Sequence, residues 1–518
     1  MMDGDRTSPR RSSRKRSIIY ADPANASRPS KKPKTQPHQQ AAQDEEPANT
    51  PYLRIYCLGS NDNAELGLGP NHRVGDVRVP TLNPFLSCPS PSEKSLKKGS
   101  FPTIKNKVVQ LAVGGMHCAA LTSTNEILTW GVNDNGALGR DTSSARLEEH
   151  LKNLTLHDDN SSTTSSEPDI NPLESTPHPV PFPNINPPKW TQITACDSAT
   201  FLLSTTGQIY GWGCTRSSQG VSLFTPQTAI QRTPLPIPLP EHITKISARG
   251  NHILALTKTG QVYTWGLGSE QGQLGRRLPQ RGNSLLSCAV TPRKIKLKNI
   301  IDIAAGPDHS FAVGENGEVW AWGLDNYAQT GALTSNRGED GGGLFISTPT
   351  RVTNLEGILN GRRIKYLTGG NSHSLCLLDD GSVYSWGRLD SFATGVDIDT
   401  LTAQKGQKWE EDFVVRDGRG RARIVTCPVR ILPLGEGEND KIRWVEAGAE
   451  HGVAVTVDGR VVTWGFNASC QTGHRGEEEE IKTPRVVGVR KGCLEGVRFK
   501  WTGAGGHFTV LGEEVVGL

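Results

Sequence analysis

The sequence predicts an all-β protein, a seven-bladed β-propeller closed by the N- and C-terminal halves of one blade. Glycine provides 57 of the 518 residues, about 11% where ~7% is usual, which indicates many turns between short strands. The dipeptide Trp-Gly recurs six times, and Leu58-Gly59 stands in the same place near the start. A unit of roughly fifty residues that supplies about four short strands is typical of a propeller blade.

Two further landmarks fix the register of this repeat. A second glycine, preceded by Leu or Thr, follows each Trp-Gly except the one at Trp212. A histidine stands thirteen residues before the tryptophan in five repeats, and Ala199 replaces it in the third. A residue that recurs in every blade is expected to be structural, so we predict that these histidines bind backbone groups of neighbouring blades and form no metal site. These histidines are His117, His252, His309, His373 and His451.

The two ends of the chain supply the halves of one more unit. The run Gly505-Gly506-His507-Phe508 begins a repeat, but the chain stops at Leu518 before a Trp-Gly. The segment 53–69 has the missing second half. Six complete units and one shared unit give seven blades, and sharing removes the open sheet edge.

The positive charge of the chain is confined to its first fifty residues. Residues 1–40 hold ten Lys or Arg and three acids, and three acids at 44–46 reduce the total to +4, the net charge of the whole chain. This segment is rich in Pro, Ser, Ala and Gln, so we expect it to be disordered. Its basic clusters indicate nuclear import or contact with DNA phosphates, and a merely solubilising tail is the alternative. The cluster residues are Arg10, Arg11, Arg14, Lys15, Arg16, Lys31, Lys32 and Lys34.

Several other classes of protein are disfavoured. No stretch approaches the ~18 apolar residues of a membrane helix, so no membrane contact is expected. The start, Met-Met-Asp-Gly-Asp-Arg, lacks the apolar core of a secretory signal. The ten cysteines form no C-x-x-C pair, so we expect reduced thiols and neither a disulfide framework nor a zinc site.

The repeat G-G-x-H followed by W-G-x-N-x-x-G-x-L-G resembles the regulator of chromosome condensation family of seven-bladed propellers, over residues 51–518. Residues 114–117 with 130–142, and residues 265–277, are similar to the second and fourth blades of the family's Ran exchange factors. The resemblance implies a nuclear, chromatin-associated protein that promotes GDP release and GTP loading on the small GTPase Ran. It would act by binding the nucleotide-free GTPase most tightly, without covalent chemistry or a cofactor.

The resemblance also implies a GTPase-binding face. Asp197 matches an aspartate of the family, Asn251 stands where the family has Asp, and the pair Ser372-His373 stands where it has two histidines. A hairpin after the third Trp-Gly would be inserted into the GTPase. It breaks the repeat, because it lacks the second glycine, which suggests selection for function; drift is the alternative. Its residues are Arg216, Ser217, Ser218 and Gln219.

Chromatin contacts are implied for two places. The loop after the fourth Trp-Gly matches one that presents arginine to the acidic patch of the nucleosome, here Arg277 or Arg281. Arg14, Lys15 and Arg16 in the tail would contact DNA, and an importin would bind the basic clusters. Residues 141–189 are predicted to be a disordered insertion, and residues 404–426 a charged loop.

Two other functions remain open. A propeller scaffold or ubiquitin-ligase adaptor would share the repeat but would not prefer the nucleotide-free GTPase. A propeller enzyme would need acids or histidines that converge on the central channel.

Overall fold

The computed structural model describes residues 51–72, 75–86, 107–143, 145–148, 170–183, 185–268, 270–279, 283–332, 345–398, 413–474, 478–488, 494 and 496–515. These all belong to a compact unit that spans Glu46–Leu518. The predicted import and DNA contacts of the tail, and the predicted chromatin contact at Arg281, lie outside the described residues.

Nearly all regular structure in these ranges is antiparallel sheet, arranged as seven groups of four strands that we number 1 to 7. Group 1 is Tyr52–Gly59, Val77–Leu82, Phe499–Ala504 and Phe508–Val515. Group 2 is Val108–Val113, His117–Thr122, Ile127–Gly131 and His178–Pro179. Group 3 is Trp190–Ala195, Ala199–Ser204, Ile209–Gly213 and Gln231–Ile237. Group 4 is Ile243–Arg249, His252–Thr257, Val262–Gly266 and Arg293–Lys294.

Group 5 is Ile300–Ala305, His309–Gly314, Val319–Leu324 and Phe345–Arg351. Group 6 is Ile364–Gly369, His373–Leu378, Val383–Arg388 and Ala422–Leu432, with Val414–Arg416 added at its edge. Group 7 is Ile442–Ala447, His451–Thr456, Val461–Phe466 and Glu480–Val486. Groups 1 and 2 share one sheet through the pair Leu53–Val108. The short remaining elements are a hairpin of Thr215–Arg216 with Ser222–Leu223, and helices Pro172–Ser175, Asn283–Val290, Thr353–Ile358 and Glu438–Asp440.

The groups follow one another in a cycle. Each group has one strand that ends just before its repeated histidine position. This strand contacts the corresponding strand of the next group. The strand Phe499–Ala504 of group 1 contacts Val108–Val113 of group 2, which completes the cycle. These seven strands line a central channel cavity of about 360 Å³. The fold is therefore all-β and propeller-like, which confirms the predicted fold class at this level.

The repeat landmarks keep one register in every group. The repeated histidine pairs across the strands with the glycine of Trp-Gly, as in His117–Gly131 and His451–Gly465. In group 1 the corresponding pair is Phe508–Gly59, so Phe508 and not His507 takes the histidine position. The strands Tyr52–Gly59 and Phe508–Val515 pair along their whole lengths.

The histidines join neighbouring groups through side-chain hydroxyls. The Nε2 atoms of His117, His252, His309 and His451 lie 2.9, 2.7, 2.8 and 3.0 Å from the hydroxyls of Thr200, Ser310, Ser374 and Thr509. Thr200 in turn donates to the carbonyl of Ala137, which leaves His117 as the donor to Thr200. These bonds confirm that the histidines are structural, but the partners of Nε2 are side-chain hydroxyls and not the predicted backbone groups.

Three groups lack such a bond, and in two of them the histidine and the partner hydroxyl are missing together. In groups 3 and 1 the histidine is replaced by Ala199 and Phe508. The hydroxyl position, which is the residue directly after the histidine position of the next group, is then occupied by Ile253 and Cys118, and neither has a hydroxyl. The histidine of group 6 is the exception. The next group has Gly452 in the hydroxyl position, and the buried Nε2 of His373 has no hydrogen-bond partner.

The second glycine of a repeat packs on the residue in the tryptophan position of the following group, which is Leu58 for Gly473 and a tryptophan for the others. Gly139 has φ of +66°, and a β-carbon there would lie 2.7 Å from Nε1 of Trp212. Gly275 and Gly395 make the same approach to Trp322 and Trp464. Only glycine combines this left-handed conformation with so close a contact.

One predicted feature needs correction. Residues 170–183 and 185–189, within the insertion predicted to be disordered, include a helix and the outer strand of group 2. The Asn171 side chain accepts a hydrogen bond from the Leu173 N–H and donates to the Thr142 carbonyl, and Pro172 occupies the first turn of the helix. Capping and proline at the first turn stabilise a short helix in a segment whose composition is mainly polar.

Candidate functional site

One mouth of the central channel opens into a cavity of about 740 Å³. It is lined by the turns that precede the repeated histidine position, and every group contributes one. The contributing residues are Gly506, Gly115, Asp197, Asn251, Pro307, Asn371 and Ala449. The predicted GTPase-binding residues Asp197, Asn251 and Arg216 all line this mouth cavity, although they are separated in the sequence.

Asp197 supplies a negative charge to the mouth cavity. Its backbone N–H donates to the Gly250 carbonyl at 2.9 Å, which fixes the turn of group 3 on that of group 4. Burial of its surroundings raises the pKa of the Asp197 carboxyl, Arg249 opposes this shift, and Asp308 adds to it. The residues two positions before the histidine position in the other repeats are Gly, Pro, Asn or Ala, so Asp197 is the one charged residue among them.

Asn251 holds the predicted hairpin. Its Oδ1 atom accepts a hydrogen bond from the Arg216 N–H at 2.7 Å. A carboxylate oxygen could accept the same bond, so asparagine in place of the family's aspartate keeps the acceptor and removes only the charge. The sequence comparison could identify the departure at position 251 but could not show which hydrogen bond it involves.

The hairpin projects beyond group 3 and has its own hydrogen bonds. Ser217 N–H donates to the Val221 carbonyl at 2.9 Å, and the Thr215 hydroxyl donates to the Leu223 carbonyl at 2.9 Å. Ser218 is hydrogen-bonded to the carboxylate of Glu270 in the loop that follows the Trp-Gly of group 4. Arg216, Ser218 and Gln219 are exposed, as a docking element requires.

The structure places Ser372 and His373 differently. Ser372 is not among the residues that line the mouth cavity, and its carbonyl accepts a bond from the Arg388 N–H at 2.9 Å. His373 is 1% exposed and lies among the repeated histidines, so its side chain does not reach the mouth cavity. Asn371 lines the cavity in this group instead. The position of Asp197, two residues before the histidine position, would have identified Asn371 from the sequence.

The predicted chromatin loop begins with two arginines in different environments. The Arg276 side chain turns inward and donates to the carbonyls of Thr264, Cys288 and Thr291. Arg277 is exposed. The inward bonds of Arg276 anchor the loop and direct the next residue outward.

A family model described as the RCC1-like domain matches residues 54–511. The chain belongs to the RCC1 family. The guanine nucleotide exchange factor SRM1 of Saccharomyces cerevisiae is 32% identical over 467 residues, which is 89% of this chain and 87% of that protein.

Two solved structures are similar to this RCC1-family chain over most of its length. The crystal structure of Prp20p from Saccharomyces cerevisiae, described with its binding properties to Gsp1p and histones, is 30% identical with a TM-score of 0.71, covering 89% of this chain and 91% of that one. Yeast RCC1 (Prp20) bound to Kap60 is 29% identical with a TM-score of 0.71, covering 94% of this chain and 97% of that one.

The described part of the chain has neither a candidate metal site nor a helix that could span a membrane. No group of three or more His, Cys, Asp or Glu side chains there could hold a metal ion. No helix in the described ranges is long and apolar enough to cross a membrane. The described cysteines are free thiols.

Proposed function

We propose that this protein is a guanine nucleotide exchange factor for a Ran-type small GTPase, and that the GTPase docks on the mouth cavity and the hairpin. The observation that carries the proposal is the convergence of Asp197, Asn251 and Arg216 on one face. The exchange factor SRM1 and the Gsp1p-binding Prp20p, similar over most of this chain, support it. In this proposal the seven groups are the seven blades of a closed propeller at 51–518.

The face has the two properties that exchange requires. The exposed carboxylates of Asp62 and Asp197 suit a basic surface on the GTPase. The hairpin is a short, hydrogen-bonded wedge that presents a cation and hydroxyls. A wedge that fits only when the phosphates and magnesium have left would stabilise the nucleotide-free state, and this difference in affinity drives release without covalent chemistry.

Chromatin and import contacts complete the proposal. Arg277 with Arg281 would bind nucleosome histones, and the basic tail at 1–50 would bind DNA and an importin. The histone binding described for Prp20p and the complex of Kap60 with yeast RCC1 support these partners. Residence on chromatin in the nucleus would produce GTP-loaded Ran there, for nucleocytoplasmic transport and mitosis.

The test is release of labelled GDP from Ran with catalytic amounts of the protein. Asp197→Ala should reduce the exchange rate at least tenfold while the melting temperature stays within about 2 °C, because an exposed carboxylate contributes little to packing. Glu436→Ala, an exposed acid that does not line the mouth cavity, is the matched control and should exchange normally.

The scaffold alternative makes the opposite prediction. A scaffold or adaptor would bind nucleotide-free and GDP-bound Ran equally and would not accelerate release. Equal affinities for the two forms, with wild-type release at the spontaneous rate, would exclude the exchange function.

A further inference from the structure

Arg249 breaks the repeat at a position where the other groups have a small residue. Three residues before the histidine position the other groups have Gly505, Gly114, Cys196, Gly306, Gly370 and Gly448. A β-carbon at Gly370 would lie 2.1 Å from Cε1 of His373, which explains why glycine is favoured there. In group 4 the strand continues to Arg249, which pairs with His252, and the turn is only Gly250 and Asn251.

The arginine side chain crosses the channel. Nη1 of Arg249 lies 3.1 Å from Oε1 of Glu446 in group 7, and Nη2 donates to the Ala504 carbonyl in group 1 at 3.2 Å. Glu446 also accepts bonds from the hydroxyls of Thr368 and Tyr366 in group 6, at 2.7 and 3.2 Å. The side chains of Arg249 and Glu446 are only 16% and 14% exposed. One network therefore joins groups 4, 6, 7 and 1.

Arg249 also lies at the boundary between two spaces, because it lines both the channel cavity and the mouth cavity. The two residues that follow it hold the candidate GTPase-binding elements. The Gly250 carbonyl accepts the Asp197 N–H, and Asn251 accepts the Arg216 N–H. The turn 250–251 is thus hydrogen-bonded to Asp197 and to the hairpin on one side. On the other side Arg249 fixes it to the opposite wall of the channel.

We propose that Arg249 is a positioning residue for the docking face, which fixes the turn 250–251 and through it Asp197 and the hairpin. This inference rests on the proposed function for its effect on exchange, whereas its effect on the turn itself is independent of any partner. We call the bonds of Arg249 to Glu446 and to the Ala504 carbonyl the brace. Loss of the brace would leave the docking residues present but mobile, and small displacements of positioned groups can reduce rates up to ~100-fold.

The test uses Arg249→Met, Glu446→Gln and the double variant. Arg249→Met alone leaves Glu446 buried without its cation, so this variant loses stability as well. The double variant has no buried charge at this place, so its melting temperature should return towards that of the wild type. Exchange should remain roughly tenfold reduced in the double variant, because methionine cannot reach the Ala504 carbonyl with a donor.

Lys245→Met is the matched control. Lys245 lies on the same strand, lines the channel cavity and pairs with Asp302 of group 5, but it does not adjoin the turn 250–251. This variant should exchange at the wild-type rate. Arg249→Lys should recover part of the exchange, since lysine can reach Glu446 but lacks the second arm of the guanidinium.

Hydrogen exchange of the backbone amides separates the inference from the proposed function. In the double variant the amides of Asp197 and Arg216 should lose protection, and in Lys245→Met they should keep it. Unchanged protection in the double variant would overturn the inference, whatever the nucleotide assay shows. Lost protection in a protein whose wild type does not release GDP from Ran would keep the brace and refute the proposed function.

Discussion

At the scale of single residues, the five repeated histidines are not equivalent. Four of them donate to a hydroxyl of the next group, whereas His373 faces the position of Gly452 and its Nε2 has no partner. A serine at 452 is not a simple repair, because a β-carbon there would lie 2.2 Å from the Trp464 ring. The structure therefore contains one buried imidazole that contributes packing but no bond from Nε2.

We therefore expect His309→Leu to lower the free energy of unfolding by about 1–2 kcal/mol more than His373→Leu, because only the first change removes a hydrogen bond between Nε2 and a buried hydroxyl, that of Ser374. Denaturant titrations of the two variants measure this difference. Equal losses of free energy in the two variants would show that the hydrogen bond to the Ser374 hydroxyl contributes nothing to stability. The rate of nucleotide exchange with the His373→Leu variant also tests the predicted GTPase contact of this residue. We expect a normal rate, because the side chain is buried.

Asn251 allows a test of the hairpin anchor. Asn251→Asp keeps an acceptor for the Arg216 N–H and should exchange at least as fast as the wild type. Asn251→Ala removes the acceptor, so exchange should fall roughly tenfold while the melting temperature changes little. GDP release and thermal unfolding of both variants measure these effects. A fast Asn251→Ala variant would mean that the hairpin does not depend on this anchor.

At the scale of elements, the sequence was sufficient wherever a local pattern repeats. The Trp-Gly and second glycine predicted the strand register, because a left-handed glycine packed on an indole leaves a visible spacing. The helix at Pro172–Ser175 was missed because its stability comes from capping and from bonds to Thr142 rather than from composition.

The candidate site was predictable only in part. Asp197 and the hairpin follow from the resemblance to the family, and the break in the repeat at the hairpin supports the second of these assignments. The brace between Arg249 and Glu446 was not, because it joins residues 197 positions apart and the sequence does not specify which side chains meet across a channel. The resemblance places His373 on the face because the family has two histidines at the pair 372–373, although one position along a strand reverses the direction of the side chain.

At the scale of the whole molecule, burial of the histidines sets the response to acid. Burial lowers the pKa of His117 and His252 to about 4 and that of His309, His373 and His451 to about 3. Unfolded histidine titrates near 6.5, so below that pH the unfolded chain binds protons that the folded protein does not. Stability is therefore complete above pH 6.5 and is lost as the pH falls towards 4.

We predict a fall in the free energy of unfolding of up to roughly 7 kcal/mol per pH unit within this window, at about 1.4 kcal/mol for each of the five histidines. The raised pKa values of the Asp197, Asp308 and Glu446 carboxyls oppose part of this fall. Denaturant unfolding between pH 7.5 and 5 measures the slope. His373→Leu should reduce this slope by the contribution of one histidine. A free energy of unfolding that does not change with pH would contradict the prediction.

The tail provides a test of the chromatin proposal. Deleting residues 1–40 removes a net charge of +7 and leaves a chain with a net charge of −3, so nucleosome affinity should fall and its salt dependence should flatten. Exchange on free Ran should remain normal, and nuclear entry should slow. Binding to nucleosomes across a salt series measures the effect. An unchanged slope would restrict the tail to import.

The pairing of Tyr52–Gly59 with Phe508–Val515 also determines when the protein can finish folding during its synthesis. Arg54 and Glu513, which form an ion pair between these strands, are 459 positions apart in the chain. At ~5–20 residues per second, a ribosome needs roughly 20–90 s to make the second strand after the first. During that time one edge of the first strand is unpaired and open to other chains. We therefore expect the yield of folded protein to depend more on translation speed and chaperones than on the stability of the finished fold.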